Sequence, residues 1–368
     1  MSLPTRLQDQ ALSRVLRRAT AVAGIVLVAG AVVWASAPAA QRPAAPVAAT
    51  IRVGVTTAGG AVRVETFPLE DYVARVVSGE GQPRAGAAAQ QALAIVIRTF
   101  AAANRLRHRA EGYDLCDTTH CQVMRPVLPS AREAAAATAG QILLDKGAPA
   151  FVFYSAHNGG TPALASEVWP GATDYAPGEA RDACHDEPGW SHVIASRDLE
   201  RVVRAAGLTG RLRGLSIVDR TPSGRAGRLR VDGFTPNTLS AYEFRMAVGR
   251  TLGWHLVRST AFEVTKDGAG YRFDGVGYGH GVGLCVVGAG RRASRGETAA
   301  TILRAYFRDL VIGPASTPRL TSATPPADPI ITAPPGATPA PAAVAPPVAP
   351  ASLLATDIRL TLPPLEEH

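Results

Sequence analysis

The sequence predicts an α+β fold, in which β-hairpins and helices are mixed instead of alternating as βαβ units. Two observations support this fold class: paired segments of alternating apolar residues close around turn residues, and segments with helical apolar spacing lie between them. A third observation sets the limits of the folded part. Residues 38–50 and 315–368 are rich in proline and alanine and cannot form a core. We therefore expect one folded domain with a cleft over residues 51–314, followed by a disordered tail.

Four β-hairpins are predicted along this domain. They cover residues 51–65, 141–156, 214–233 and 262–273, and the first three turn at Gly59-Gly60, Lys146-Gly147 and Ser223-Gly224. Each combines alternating apolar residues with residue types that favour turns.

Five helices are predicted between and after the hairpins. They begin at Pro68, after Pro83, at Asp198, at Ser240 and at Thr298. Pro68 suits a first helical position, and acidic residues follow it in the first turn. Ser240 and Glu243 form a capping box.

The first helix raises a question about a carboxylate. Its apolar residues repeat at helical spacing, and the next position on the same face is Glu80, between Gly79 and Gly81. One interpretation is a structural ion pair with an arginine of the next helix, such as Arg98. The other is a general acid, because partial burial raises a carboxyl pKa and keeps the group protonated near neutral pH. The flanking glycines would allow backbone and substrate to approach closely.

Composition narrows the classes of partner. The chain has 368 residues, 46% hydrophobic content and a formal net charge of +8. A basic balance suits nucleic acid, anionic lipid or an acidic polymer. Aromatic residues are only 6%, and no basic run is interleaved with them. We therefore expect no nucleic-acid partner.

The N-terminal segment, residues 1–37, predicts export. Four arginines precede an uncharged apolar run from Ala19 to Trp34, and small residues follow it. This is the pattern of a secretory signal peptide. The run is at the long end for a signal peptide, so an uncleaved membrane anchor is the alternative. We expect a periplasmic or extracytoplasmic protein, either cleaved or associated with the membrane through this segment.

Two loops are rich in glycine and polar residues. The stretch FYSAHNGGTP carries Ser155, His157, Gly159, Gly160 and Thr161. A serine-hydrolase interpretation would need a G-x-S-x-G elbow, which this stretch lacks. The stretch DGVGYGHGVG sets His280 among alternating glycines, without the spacing of a phosphate-binding loop.

Two of the four cysteines, Cys116 and Cys121, allow two interpretations. Cys116, His120 and Cys121 lie within six residues, and His108 is upstream. In an oxidising compartment Cys116 and Cys121 can form a disulfide, and with one or both histidines they can also hold zinc.

Several of these stretches, in this order, resemble the SpoIID/LytB domain family. They are FPLEDYVARVVSGE, QALAIVIRTFA, CDTTHCQV, FYSAHNGGTPALASEVW and GYGHGVGLCVVGA, and the resemblance covers residues 51–312. Members of this family act on bacterial peptidoglycan. The resemblance implies that Glu80 is the essential glutamate and that a structural zinc lies near the cysteine pair.

The resemblance also implies a substrate-binding cleft. It is expected to be lined by Arg98, Ser155, His157, Gly159, Gly160, Thr161, Tyr278 and His280. The function implied is lytic transglycosylation of glycan strands, which needs one acid and no cofactor. Glu167 is the nearest candidate for a second carboxylate, and we interpret it as a charge that orders its loop. The alternatives are a non-catalytic wall-binding module that stimulates an amidase and a zinc-dependent enzyme.

This sequence departs from the family pattern after Gly283. The polar Ser-Gln pair of the family is replaced by Cys285 and Val286, which raises the question of whether substrate binding is retained. Cys285 is instead predicted to form a disulfide with Cys184.

Overall fold

The structure is a computed structural model that describes residues 50–57 and 60–315. The predicted signal peptide or anchor, nearly all of the predicted linker (residues 38–50) and nearly all of the tail lie outside the described residues. Among those that are described, no helix combines the length and the apolar character needed to cross a membrane.

The described residues form an α+β fold, which confirms the predicted class. The helices are α1 (Leu69–Glu80), α2 (Ala87–Ala103), α3 (Pro129–Ala137), α4 (Ser196–Ala205), α5 (Ala241–Thr251), α6 (Val286–Ser294) and α7 (Ala299–Tyr306). The strands are β1 (Thr50–Thr56), β2 (Val62–Pro68), β3 (Leu115–Cys116), β4 (Gln141–Asp145), β5 (Ala148–Pro149), β6 (Tyr154–Ser155), β7 (Trp190–Ala195), β8 (Thr209–Arg220), β9 (Ala226–Thr235), β10 (Thr238–Ser240), β11 (Phe262–Asp267), β12 (Gly270–Gly275), β13 (Leu284–Cys285) and β14 (Val311–Pro314). Two 3₁₀ turns lie at Arg109–Glu111 and Ala165–Glu167.

The first of two large hydrophobic clusters is built around α2. This helix is buried on nearly all sides from Ala92 to Ala101, which fits a central helix that touches neighbours all round. It packs against α1, α3, α6, α7 and β4. Three small sheets surround it, with strand orders β2-β1-β3, β14-β4-β5 and β13-β6. This cluster carries Glu80 on α1.

The second cluster is formed by residues between Trp190 and Phe273. Two antiparallel sheets, β10-β9-β8 and β11-β12-β7, pack with α4 and α5. Cys184 precedes this region in the chain and Leu284 follows it, and both belong to the first cluster. The chain thus leaves the first cluster near Cys184 and returns to it at β13.

Most predicted elements are confirmed, with several differences at their ends. The helix predicted from Asp198 begins at Ser196. Pro68 is the cap residue before α1, because its ψ of 136° is extended. The second helix begins at Ala87, later than predicted, after a turn that starts at Pro83. In the second hairpin only β5 pairs with β4. The Ala150 N–H still donates to the Leu143 carbonyl, but the Leu143 N–H donates to the Thr99 hydroxyl instead of returning a bond to Ala150, so the ladder ends there. The downstream strand β6 pairs in parallel with β13.

Candidate functional site

Glu80 is the last residue of α1, and its carboxylate is held by groups from distant parts of the chain. Its Oε1 accepts a 2.8 Å hydrogen bond from the Val123 backbone N–H, and the Tyr154 side chain also bonds to it. Burial raises the pKa of Glu80, and these two bonds, with the charge of Arg125, lower it by less. The residue as a whole still keeps part of its surface exposed. A carboxyl group that is desolvated but reachable can act as an acid.

The glycines on either side of Glu80 accommodate protein backbone. A Cβ on Gly79 would lie 2.2 Å from the carbonyl oxygen of Val123, and no side chain fits there. A Cβ on Gly81 would lie 2.6 Å from the Val77 carbonyl oxygen. The glycines were expected to allow the close approach of backbone and of substrate. The structure shows the close approach of backbone.

Arg98 has a structural position, which argues against the predicted substrate contact. Its guanidinium is fully buried, and its Nη2 and Nε donate to the two carboxylate oxygens of Glu70 at 2.5 and 3.0 Å. Nη1 donates to the Gln141 carbonyl at 2.9 Å. Glu80 is not its partner, so the predicted ion pair with Glu80 is also wrong. A bidentate pair of this kind uses the donors that a substrate would need.

A polar network behind Glu80 was missed by the sequence analysis. The Tyr72 hydroxyl donates a 2.8 Å hydrogen bond to Oε1 of Gln122, and the Gln122 side chain also lies beside Tyr154. Burial raises the pKa of both tyrosines well above the usual value, so they remain neutral donors. Tyr72 lies on the apolar stripe of α1, where periodicity predicts packing and gives no sign of a polar role.

The two glycine-rich loops meet through His157 and Tyr278. Each backbone N–H donates to the other residue's carbonyl, at 3.1 and 2.8 Å. Gly277 has φ +80, and a Cβ there would lie 2.8 Å from the His157 carbonyl oxygen. Glycine is therefore required at this crossing. Tyr278 is 41% exposed, which leaves its ring available to a ligand.

His280 is a neutral, structural histidine. Its Nδ1 accepts from the Val282 N–H at 3.1 Å, and the ring also bonds to the Tyr154 backbone. Burial lowers its pKa to about 3, and the charges of Arg245 and Arg225 add to this. With both bonds made inside the protein, the ring helps to place Tyr154, which contacts Glu80.

The remaining loop residues differ in exposure. Ser155 is buried, and the Nε2 of His157 donates to the Cys184 carbonyl at 3.2 Å. Gly160 packs on His185, where a Cβ would lie 2.7 Å from its Cα. Gly159 and Thr161 line a groove of about 640 Å³, whose lining does not include Glu80. The structure thus connects Glu80 to the first loop through Tyr154, while the groove lies beside the other end of that loop.

Glu167 orders its loop, as interpreted from the sequence. One oxygen accepts from the Leu164 N–H at 3.0 Å. The other accepts from the N–H and hydroxyl of Ser223, at 3.1 and 2.5 Å. Burial raises its pKa, but these hydrogen bonds outweigh that effect and lower it overall. The group is therefore ionised and suited to structure, in contrast to Glu80.

The positions that depart from the family pattern are internal. Leu284 and Cys285 are fully buried in β13, and Val286 is buried at the start of α6. The side chains at these three positions face the core. Cys285 and Val286, which replace the polar pair of the family, are therefore not part of the exposed surface of the loops.

Two cysteines and two histidines form a compact cluster with the donor set of a zinc site. The distances are 3.2 Å for His108 Nε2 to His120 Nδ1, 3.7 Å for Cys116 Sγ to His120 Nδ1, and 3.3 and 3.6 Å from Cys121 Sγ to those same two nitrogens. Tetrahedral zinc with ordinary bond lengths places such atoms about 3.3–3.8 Å apart. The residues therefore fit zinc. Glu111 lies 3.6 Å from Nδ1 of His108, where it can orient the ring.

All four cysteines are free thiols. Neither of the two predicted disulfides is formed, although both predicted pairs are brought together. Sγ of Cys184 lies 3.4 Å from Sγ of Cys285, which is longer than the S–S bond of about 2.05 Å.

Comparison with known sequences shows what the segment around Glu80 is similar to. The model of the family described as Stage II sporulation protein matches residues 57–144. A domain of unknown function (DUF8618) matches residues 190–283, which contain the second cluster. This match and the relatives named Stage II sporulation protein D and Amidase enhancer support a SpoIID/LytB-like family.

Individual relatives are similar over different lengths. Stage II sporulation protein D of Bacillus amyloliquefaciens is 26% identical over 275 residues, which are 68% of this chain and 76% of the relative. An uncharacterized protein of Brachyspira hyodysenteriae is 28% identical over 255 residues, which are 68% of this chain and 67% of that protein. The Amidase enhancer of Bacillus subtilis is 25% identical over 222 residues, which are 46% of this chain but only 30% of that protein.

Proposed function

We propose that this chain cleaves the glycan strands of bacterial peptidoglycan by lytic transglycosylation, with Glu80 as the single acid and base. One observation carries the proposal. The Glu80 carboxyl is desolvated, its pKa is raised, and the residue stays partly exposed at the end of α1. The family and the names of the relatives support a role in the cell wall.

The reaction needs one carboxyl group that first donates a proton and then accepts one. Protonated Glu80 donates to the oxygen between N-acetylmuramic acid and N-acetylglucosamine, and this glycosidic bond breaks. The Glu80 carboxylate then takes the proton of the muramic acid C6 hydroxyl, whose oxygen bonds to C1. A 1,6-anhydro ring forms, no water is consumed, and Glu80 ends protonated.

Glu167 supports this single-residue scheme by its contrast with Glu80. Hydrolytic glycosidases use two carboxyl groups in set positions. The oxygens of Glu167 are taken by Leu164 and Ser223, and its pKa is lowered. It serves neither as an acid nor as a free nucleophile.

The proposed substrate also fits the charge and the proposed location. Glycan that has lost its stem peptides carries lactyl carboxylates, which suit a chain with a net charge of +8. Peptidoglycan lies outside the cytoplasmic membrane, so the chain must be exported. The basic and apolar segment of residues 1–37 is the proposed export signal or anchor.

We further propose that His108, Cys116, His120 and Cys121 hold a structural zinc. Four protein ligands leave no open coordination position, so the metal stabilises the fold and takes no part in the chemistry. Cys116 follows Leu115 in β3, which pairs with β1, and Val123 follows the cluster closely. The zinc would fix the segment whose amide bonds to Glu80.

A second function is supported by the similarity to the Amidase enhancer of Bacillus subtilis. In this alternative the chain binds the wall and stimulates an amidase without cutting glycan. It predicts glycan binding, no released sugar, and full stimulation by the Glu80→Gln variant.

One experiment separates these functions. Purified peptidoglycan, with and without stem peptides, is digested with the chain, and the product ends are identified by mass spectrometry. We expect 1,6-anhydro ends, more of them from denuded strands, and none from Glu80→Gln. Reducing ends would contradict transglycosylation, and an absence of cleavage together with amidase stimulation would support the alternative.

A further inference from the structure

Two buried thiols meet beneath the first glycine-rich loop. Cys184 and Cys285 are both fully buried, and their sulfur atoms are 3.4 Å apart although 101 residues separate them in sequence. Each also contacts Asn158 of that loop. Sγ of Cys184 lies 3.1 Å from Asn158 Oδ1, and Sγ of Cys285 lies 3.5 Å from its backbone nitrogen.

The two cysteines lie on either side of the second cluster in the chain. Cys184 belongs to the first hydrophobic cluster just before the chain enters the second, and Cys285 belongs to it just after the chain returns. The residues from Trp190 to Phe273 that build the second cluster therefore lie between the two thiols. A bond between them would join the two ends of this region.

We propose that Cys184 and Cys285 form a disulfide in an oxidising environment, and that this bond holds both ends of the second cluster and the Asn158 loop against the first cluster. This inference requires no activity, but it rests on the export that the proposed function includes. The sulfur atoms must approach by about 1.3 Å to reach bonding distance. That movement is small for two side chains already in contact.

A metal is a poorer explanation of this cluster. Asp182 lies close enough to join the two thiols as a ligand, but its oxygens are already used. Oδ2 accepts from Asn158 Nδ2 at 2.6 Å, and Oδ1 accepts from the Ala183 N–H at 2.6 Å and from the Tyr306 hydroxyl at 2.9 Å. The carboxylate thus anchors the Asn158 amide and leaves the thiols to each other.

The bond would form by exchange with a low-molecular-weight disulfide or a disulfide-carrying oxidoreductase. The Cys184 thiolate attacks one sulfur of the oxidant and releases one thiolate, which leaves a mixed disulfide. Cys285 then loses its proton and attacks Cys184 sulfur, which expels the second thiolate. Two protein thiols are oxidised while one oxidant disulfide is reduced to two thiols. The exchange takes place while this region folds, because both sulfur atoms are fully buried in the folded chain.

The surroundings tolerate the change. Sγ of Cys285 accepts from the Gly288 N–H at 3.2 Å and caps α6, and a disulfide sulfur can still accept weakly. Cys184 loses its hydrogen-bond donor to Asn158. The Asn158 Oδ1 still accepts from the Gly160 N–H at 2.9 Å, and its amide still bonds to Asp182.

The test is a peptide map of the full chain produced by secretion into an oxidising compartment. The protein is alkylated in denaturant before any reductant is added, digested and examined by mass spectrometry. We expect one linked pair that joins the Cys184 and Cys285 peptides. We also expect the oxidised chain to melt roughly 5–10 °C above the reduced chain, since the closed loop is long. Alkylation of both cysteines, or their linkage to Cys116 or Cys121, would overturn the proposal.

The matched variant is Cys285→Ser, because serine is also a good N-cap for α6. It should fold, show no linked peptide and show no change of Tm on reduction. If this variant loses as much Tm on reduction as the natural chain, the shift belongs to another site and the cross-link makes no contribution. Reduction of the natural chain should leave its zinc content unchanged.

Discussion

The backbone amide of Val123 donates a 2.8 Å hydrogen bond to the carboxylate of Glu80, from 43 residues away in the chain. Gly79 makes this contact possible, because any side chain there would overlap the Val123 carbonyl. The segment after the Cys/His cluster is thereby held against the end of α1. The proposed acid and the proposed zinc site are thus parts of one local structure.

Replacing the carboxylate tests the role of Glu80. We expect Glu80→Gln to lower glycan cleavage by about 10²–10⁴-fold while the circular dichroism spectrum and Tm remain those of a folded protein. The matched variant is Glu167→Gln, which removes the charge of a loop-ordering residue and should retain most activity. Equal losses of activity in the two variants would contradict a single acid.

The pH profile of cleavage should report the same group. Because burial raises the pKa of Glu80, the protonated form that the reaction needs persists to higher pH, and kcat/KM should fall as pH rises through the raised value. The Tyr154 hydrogen bond lowers this pKa. Tyr154→Phe should therefore move the alkaline limb to higher pH, and an unchanged limb would show that another group controls it.

Stability should depend on pH with a sign fixed by the same shift. A raised pKa in the folded state gives stability that is present below the unfolded value near 4.5 and is lost as pH rises through the folded value. Glu80→Gln removes this dependence. The stability of the variant relative to the natural chain should therefore increase with pH over that range in urea unfolding.

Gly79 is predicted to be indispensable for both stability and activity. A Cβ placed 2.2 Å from the Val123 carbonyl oxygen must displace that segment, so Gly79→Ala should cost about 1–3 kcal/mol and reduce cleavage. Gly290→Ala within α6 is the control, because the nearest atom to its Cβ would be the end of the flexible Gln82 side chain, at 3.0 Å. A stable and fully active Gly79→Ala variant would contradict the described contact.

The burial of Arg98 predicts a loss of stability and no selective loss of substrate binding. Arg98→Met removes its bonds to Glu70 and to the Gln141 carbonyl, and we expect about 2–4 kcal/mol lower stability in urea. Arg132→Met, at an exposed surface arginine that lies 3.7 Å from Asp71, should change stability by about 0.5 kcal/mol or less. An increase of KM at unchanged stability would instead restore the role of Arg98 as a substrate contact.

Metal analysis tests the Cys/His cluster. The chain should contain one zinc, and its removal by a chelator should lower Tm. Acid should release the metal as well, because histidine and cysteine ligands must be deprotonated. Cys121→Ser should lose the metal, while Cys184→Ser should keep it. A chain that holds no zinc but shows a Cys116–Cys121 disulfide would favour the other interpretation of these cysteines.

The sequence by itself determined the features that depend on neighbouring residues. Alternation and turn residues predict the hairpins, and helical spacing predicts that Glu80 continues the buried face of α1. The metal-binding residue types within 108–121 were also evident, because they lie close together in the chain. Resemblance to a family added the order of the motifs, which no single motif could supply.

Only the tertiary structure decided which distant groups meet. Arg98 pairs with Glu70 instead of Glu80, Tyr154 reaches Glu80, and Cys184 meets Cys285. Periodicity reports which face of an element is buried, but it carries no information about what lies opposite that face. Partners that are tens of residues apart are chosen by the packing of whole elements, and that packing also sets the desolvation that raises the pKa of Glu80.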